Sequence, residues 1–399
     1  MGSTLSCSRS SDVVVTSTFE SMYEIGAELG KGHFAVVHAC VHVGTGVKYA
    51  VKVINKRRVT NPMSMREEVT VLRKVGRHPY CIELVDVFED DSNFYLVMEL
   101  CTGGDLFSRI VDYGSYSEMD ASRTLFQLAT ALDHIHQQGI THRDLKPENI
   151  LLLNSTPDSD LKVGDFGLSK IVEGGPSVVM KTICGTWAYC APEVIEQKPY
   201  TSLVDNWTLG VLMFILLSGY HPFDDFGDLP EPELLERIVS CDYSFNDPVW
   251  SDISEQPKQM IRALLKIVPE ERMSLADFLA SPWIQGKQAK SAPLTSTLNR
   301  MQSFNSGRKS KGGLMSQTSN LDLSYSQSET RDRERIATNA IQQRIVEATE
   351  DDDSDVDAGA AAKGNAVTTP TTSKPPISNG GAGEKHTVQF AAVVESIKD

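Results

Sequence analysis

The chain has no long hydrophobic run. Its longest apolar stretch, Leu209 to Leu217, is far shorter than the ~20 residues a membrane-spanning helix needs, and a buried helix is expected there. No apolar segment follows the N-terminus, so no secretory leader is expected. The 7 cysteines are scattered, with no CxxC pair and no His/Cys cluster. That argues against a zinc site or a disulfide framework and fits a reducing cytosol. The acid-rich run 351–357 lacks the glycine and closing glutamate of a calcium loop, and reads as a solvated charge run. Positive charge is also short. Net charge is -15, yet residues 285–399 hold 14 basic and 14 acidic side chains, so the whole excess lies in 1–284. An acidic globular region disfavours nucleic acid as a partner and suits basic peptides.

One loop stands out. His142-Arg143-Asp144-Leu145-Lys146-Pro147-Glu148-Asn149 lies between a helical run, Glu118 to Gln137, and an apolar run, Ile150 to Leu153. So many charged groups do not belong in a core unless they are used. Asp144, Lys146 and Asn149 can meet around one small volume, as a base, a cation for a phosphate and a metal ligand.

The rest of the chain supplies what such a loop needs. Glu24 to Gly30, Ala35 to Val43 and Val47 to Ile54 alternate and are β-branched, and are expected as strands. Between the first two lies a glycine-rich hairpin through Leu29, Gly30, Lys31, Gly32, His33, Phe34, Ala35 and Val37. A hairpin, rather than a strand-to-helix turn, argues for a flap over phosphates and against a dinucleotide fold. Lys52 is centred in the third strand with apolar neighbours, which is costly unless it is paired. A helix over Met63 to Val75 carries Glu67 and Glu68, either of which could face it. Two more strands, Ile82 to Phe88 and Phe94 to Leu100, end at Gly103-Gly104-Asp105. A boundary between a small β-rich lobe and a larger helical one is expected there. Helices follow over 105–112 and 117–137. Asp165-Phe166-Gly167 and an irregular stretch, Leu168 to Cys190, lead to Ala191-Pro192-Glu193, and a long irregular loop in a compact domain is usually functional. Four more helices are expected between 203 and 279.

Glycine flap, strand lysine, helix glutamate, charged loop, second aspartate and Ala-Pro-Glu are the parts of phosphoryl transfer, in one order. Residues 23–284 therefore resemble a eukaryotic protein kinase domain. The resemblance implies an α+β, bilobal protein kinase fold: a small antiparallel β-sheet lobe with one main helix (23–102) and a larger, mainly helical lobe (103–284). It implies ATP and two magnesium ions as cofactors. Gly30, Gly32 and Phe34 would cover the phosphates, with Ala35 at the family's third glycine. Leu29, Val37, Ala50 and Leu151 would sandwich the adenine, Glu99 and Cys101 would offer it backbone groups, and Met98 would guard the pocket behind. Lys52 would hold the α- and β-phosphates and pair with Glu68, which stands at the family spacing from Leu72. Asp144 would take or orient the substrate hydroxyl, Lys146 would neutralise the γ-phosphoryl, and Asn149 and Asp165 would hold the metal ions. Glu193 would pair with Arg272.

Lys146, two residues after Asp144, resembles serine/threonine kinases. The closest likeness is to the calcium/calmodulin-dependent group, carried by Thr182-Ile183-Cys184-Gly185-Thr186, by Leu216-Leu217-Ser218-Gly219 with Pro222-Phe223, and by Asp242-Tyr243-Ser244-Phe245 with Trp250. It implies that Asp105 and Glu148 bind an arginine three residues before the target. It also implies an upstream kinase acting on Thr182, whose phosphate would pair with Arg143. Trp187 departs from the small residue or proline usual after Thr186.

The ends are less regular. Gly2 with Ser6 matches an N-myristoylation pattern and Cys7 is placed for a palmitoyl group, so residues 1–22 form a leader that would carry two lipid signals if acylated. Leu294, Leu298, Met301 and Phe304 make an apolar stripe beside Arg300, Arg308, Lys309 and Lys311. That is a basic amphipathic helix ending near Gly307. Segment 285–312 resembles an autoinhibitory, calmodulin-binding segment acting through 294–311, with Ser303, three residues after Arg300, as an autophosphorylation site. Residues 313–399 are expected to be largely disordered. The leading expectation is a cytoplasmic serine/threonine kinase, membrane-associated if acylated. The alternatives are a pseudokinase scaffold and a membrane-tethered adaptor.

Overall fold

The computed structural model describes residues 18–31, 35–59, 62–171 and 187–315. A single helical turn, α1 (Phe19–Met22), enters a five-stranded antiparallel sheet of β1 (Tyr23–Lys31), β2 (Ala35–His42), β3 (Lys48–Asn55), β4 (Leu84–Glu89) and β5 (Asn93–Met98). The strand order is β1-β2-β3-β5-β4, with α2 (Pro62–Val75) connecting β3 to β4. The helical lobe follows with α3 (Leu106–Tyr113) and α4 (Glu118–Gln137). Two short antiparallel pairs come next. One joins β6 (Ile140–Thr141) to β9 (Lys170–Ile171), the other β7 (Ile150–Leu152) to β8 (Leu161–Val163). Then come α5 (Pro192–Ile195), α6 (Leu203–Ser218), α7 (Glu231–Ser240), α8 (Glu255–Leu264), α9 (Leu275–Ala280) and α10 (Thr295–Met315).

Local sequence explains these elements. Ser117 and Asp120 form a reciprocal capping box that starts α4. Helix α6 is buried on every side from Val204 to Ser218, as an all-round apolar helix must be. No described helix is long and apolar enough to cross a membrane. The main core runs from α2 through α4 and α6 into α9, and a second, smaller core lies against the sheet around Tyr23, Val51 and Val97.

Packing continues past both edges of the expected domain. Phe19 is 2% exposed and stacks on Tyr95 at 4.5 Å and Tyr23 at 5.6 Å. The ordered lobe therefore begins before residue 23, because an aromatic side chain at 19 covers the small core. At the other edge, Leu294, Leu298 and Met301 belong to the main core, so residue 284 does not close it. Helix α10 also runs to Met315, past its expected end near Gly307. A glycine such as Gly307 costs a helix only about 1 kcal/mol, which the contacts of Phe304 before it and Arg308 after it outweigh. Within 168–190, strand β9 was hidden by its two-residue length.

Gly219 ties α10 to the lobe. It ends α6 with φ +81, and a Cβ there would meet the Thr297 carbonyl oxygen at 2.4 Å and the Met301 nitrogen at 2.8 Å. The Thr297 hydroxyl donates to the Leu217 carbonyl at 2.6 Å in the same contact. Gly219→Ala should undock α10, because a left-handed alanine costs about 1–2 kcal/mol before the clash is counted. Limited proteolysis should then cut within 295–315 at least about ten-fold faster, since cleavage follows the open population; an unchanged rate would contradict the contact.

Candidate active site

Lys52 sits mid-strand in β3, opposite Val37 of β2 and Leu96 of β5. Its ammonium lies 2.7 Å from Glu68 Oε1 and 3.2 Å from Asp165 Oδ1. Glu68 is 7% exposed, whereas Glu67, one helical step away, faces solvent. Burial alone would lower the Lys52 pKa, but Asp165 and Glu68 reverse this and raise it. The Lys52 charge in turn holds Asp165 down at about 2. Asp165 has φ +55, a left-handed backbone that swings the following Phe166 into the core against the His142 ring, 5.0 Å away. One charge cluster thus joins β3, α2 and the segment after β8.

The charged loop is built on Asp205 of α6. Asp205, 1% exposed, accepts from the His142 N–H and the Arg143 N–H, each at 2.9 Å, and lies 2.8 Å from His136 Nε2. Burial pushes its pKa up, but His136, His142 and the Arg143 N–H outweigh that and leave it lowered. A lowered carboxylate contributes stability that is present above its unfolded pKa of roughly 3.9 and lost as pH falls through the folded value. Arg143 has φ +70, and its guanidinium donates to the Tyr200 hydroxyl at 3.3 Å.

The loop then brings its working groups together. The Lys146 ammonium donates to Asp144 Oδ2 at 2.8 Å, and the Asn149 amide donates to Asp144 Oδ2 at 3.1 Å and to the Asp144 carbonyl at 2.7 Å. Both side-chain donors fall on Oδ2, so Oδ1 is the oxygen placed to receive a proton. With its amide N–H used in this way, the Asn149 oxygen is the group that could meet a cation. Burial would lower the Lys146 pKa, but Asp144 and its neighbours raise it. Asp205→Asn should therefore disorder the loop. Loss of one partner of a buried charge network costs about 3–5 kcal/mol. Turnover should fall at least about 100-fold with a lowered melting temperature, and normal turnover would contradict this reading of Asp205.

The residues expected around the adenine lie on both lobes. Ala50 is 8% exposed and pairs with Met98 across β3 and β5, while Leu151 lies half-buried on β7. Leu29 and Gly30 are exposed on β1 with Lys31, and Val37 and Ala35 follow on β2. Gly32, His33 and Phe34 lie outside the described residues, as do Gly2, Cys7, Thr182 and Thr186. Residues 99–104 cross between the lobes. Gly103 is pressed so closely onto β7 that a Cβ would lie 2.7 Å from the Leu152 Cβ and run into the Asn154 carbonyl oxygen just beyond. Glu99 forms an ion pair with Lys162 at 2.8 Å. Burial, with Glu99 adding to it, pushes the Cys101 thiol up to about 12.

Helix α10 meets the two acidic residues expected to read a substrate arginine. Arg308 lies 2.6 Å from Asp105 and 2.8 Å from Glu148, over the Phe107 ring. Phe304, one turn earlier, packs 6.0 Å from Phe107. Asp105 also caps α3 by accepting from the Ser108 N–H. Burial would raise its pKa, but Ser108 and Arg308 leave it lowered. The expected arginine, Arg300, is elsewhere, 2.7 Å from Asp247 and over the Tyr220 ring. The stretch 298–303 is therefore not seated at the acidic pair, and Ser303 is exposed on the helix surface. Arg308 carried no motif of its own. Its signal was the apolar Phe304 four residues before it, which puts both on one helical face. Lys162 and Asp205 had no local signal. Farther off, Arg272 forms a bidentate pair with Glu193 at 2.7 and 2.6 Å, as expected.

Similarity to known proteins bears on this geometry. The protein kinase domain family model matches residues 23–284. Human calcium/calmodulin-dependent protein kinase type IV is 41% identical over 293 residues, which is 73% of this chain and 60% of that protein. Rat calcium/calmodulin-dependent protein kinase type 1B is 45% identical over 275 residues, 69% of this chain and 78% of that protein. Calcium/calmodulin-dependent protein kinase type I of Schizosaccharomyces pombe is 41% identical over 287 residues, 71% of this chain and 84% of that protein. The chain thus spans about 60% of the length of the type IV relatives.

Proposed function

This chain belongs to the protein kinase domain family, and from that premise we propose that it is an active serine/threonine protein kinase held closed by its own helix α10. It would transfer the γ-phosphoryl of ATP to Ser or Thr in basic peptides. The observation that carries the catalytic part is the Lys52 ammonium between Glu68 and Asp165, beside the Asp144–Lys146–Asn149 cluster. Two ammoniums for the phosphates, with the Asp165 carboxylate and the Asn149 amide oxygen for cations, are a set that fits a triphosphate with divalent cations. Asp165 and Asn149 would hold two magnesium ions, which when bound neutralise charge on the phosphates. Lys52, oriented by Glu68, would hold the α- and β-phosphates. Asp144 Oδ1 would orient the substrate hydroxyl and take its proton. Lys146, already on Asp144, would offset the negative charge of the moving phosphoryl group. Positioning and charge neutralisation do most of the work, so no member can be lost cheaply.

The Arg308 contacts support both the substrate preference and the closed state. An arginine three residues before the target would meet Asp105 and Glu148, and an apolar residue at minus five would meet Phe107. One helical turn rises ~5.4 Å, close to the ~6.6 Å of two extended residues, so Phe304 and Arg308 mimic that pair. Calcium/calmodulin would bind 294–311 as a helix-in-groove partner and remove it from the site. Leu294, Leu298 and Met301 are buried against the lobe, so capture must compete with the core. Phosphorylation of Thr182 by an upstream kinase would add charge for Arg143 to bind. Acylation at Gly2 and Cys7 would place a cytoplasmic enzyme at a membrane. Incubation of the purified protein with ATP, magnesium and a peptide bearing arginine at minus three, with and without calcium/calmodulin, tests the proposal. Transfer stimulated by calmodulin is expected. No transfer under either condition, even with phosphate on Thr182, overturns the kinase reading.

A further inference from the structure

A buried ammonium outside the catalytic cluster has a use. Lys162 is the middle residue of β8, where all three residues are buried, and it is 7% exposed. A lysine in such a place is costly unless it is paired. Its partner is Glu99, the first residue after β5, at 2.8 Å, and its ammonium also reaches the Cys81 carbonyl at 3.5 Å. Lys162 is the register partner of Leu151 on β7.

The crossing segment 99–104 therefore has two anchors on one hairpin. At its far end the Thr102 N–H donates to the Leu153 carbonyl, the Gly103 N–H to the Leu152 carbonyl and the Leu152 N–H to the Gly104 carbonyl, each at 3.0 Å. At its near end the Glu99 N–H donates to the Glu83 carbonyl at 3.0 Å, and the Glu99 carboxylate is held by Lys162. The short span between the anchors, 99–101, is the edge that would offer backbone groups to the adenine. Leu151, the floor under that base, is on the same hairpin. Burial raises the Cys101 thiol, Glu99 adds to this and Lys162 opposes it, which agrees with both charges lying beside the span.

We propose that Lys162 is a positioning residue for the nucleotide: through Glu99 it fixes the base-reading edge to the base floor, so that the two move as one body. This rests on the kinase reading above. Without the ammonium, the Glu99 carboxylate turns to water and the 99–101 backbone gains freedom that base binding must then remove.

Lys162→Met keeps most of the stem and removes the charge. In the full-length protein it should raise the KM for ATP, and the Kd of a fluorescent ATP analogue, about ten-fold, the worth of one misplaced hydrogen bond. The kcat and the KM for peptide should stay within about two-fold, because the reacting groups are untouched. Lys162→Arg, which can still meet Glu99, should restore the ATP KM. Should Lys162→Met fail to fold, Glu99→Gln serves in its place, with the same shift in ATP KM expected. A lowered melting temperature with unchanged ATP KM and Kd would make Lys162 structural only and overturn the inference. The parent protein is assayed alongside. If it transfers no phosphate under any condition, the kinase reading fails; if it does and the ATP constants do not move, only the Lys162 inference fails.

Discussion

Asp144→Asn should lower kcat about 1,000-fold while leaving the Kd for ATP within about two-fold, the scale expected for a positioned base. Asparagine matches the shape of aspartate and can still accept from Lys146 through its amide oxygen. What it cannot do is take a proton. The Asp144 carboxylate receives both side-chain donors on Oδ2, from Lys146 at 2.8 Å and Asn149 at 3.1 Å. The nucleotide contacts assigned to Lys52, Asp165 and the 99–101 edge lie on other elements, so binding should survive. Paired kinetics and fluorescent-nucleotide titration would read the two effects separately. Turnover within about ten-fold of the parent would remove Asp144 from its role.

Arg308→Glu should have the largest effect in the opposite direction. Arg308 is 12% exposed and pairs with both Asp105 and Glu148. Losing one partner of such a desolvated set costs about 2–5 kcal/mol. Glu148 is 46% exposed, and solvent screens that half of the contact, so the low end applies. About 2 kcal/mol is a thirty-fold shift in the balance of closed and open forms. Charge reversal adds repulsion from the two carboxylates it faces. Basal activity of the full-length protein should rise at least about thirty-fold and lose most of its response to calcium/calmodulin. Arg300→Glu should not mimic it at the substrate mouth, since Arg300 is held by Asp247. Unchanged basal activity of Arg308→Glu would show that α10 does not block substrate.

Much of the fold could be read because the periodicities are strong and local. The alternation of β1 to β3 and the stripes of α2 and α4 each lie within one short window. Glu68, not Glu67, points inward because its helical spacing puts it beside Val69 and Leu72, both buried. The loop at 142–149 could be read because its charges are crowded into eight positions. What stayed hidden was pairing across long separations that no motif carried. Asp205 reaches the loop across 62 and 63 residues, and Arg308 reaches Asp105 across 203. No spacing rule links such positions; only the fold brings them together. Glu99 and Lys162 are another such pair. Phe19 and β9 were missed for another reason: a four-residue helix and a two-residue strand are too short to show a period.

The central claim is a working phosphotransfer site whose arginine pocket is filled by the chain's own Arg308. It is tested most directly by initial rates of phosphate transfer from ATP to two peptides that differ only in arginine or alanine at minus three. The rates are measured on the parent protein and on a variant that opens the pocket without altering it, Gly219→Ala. The account predicts slow transfer by the parent, fast transfer by the variant to the arginine peptide, and at least about ten-fold slower transfer to the alanine peptide, as loss of a charged contact at the pocket requires. Equal rates on both peptides, or no transfer by either protein, would contradict it.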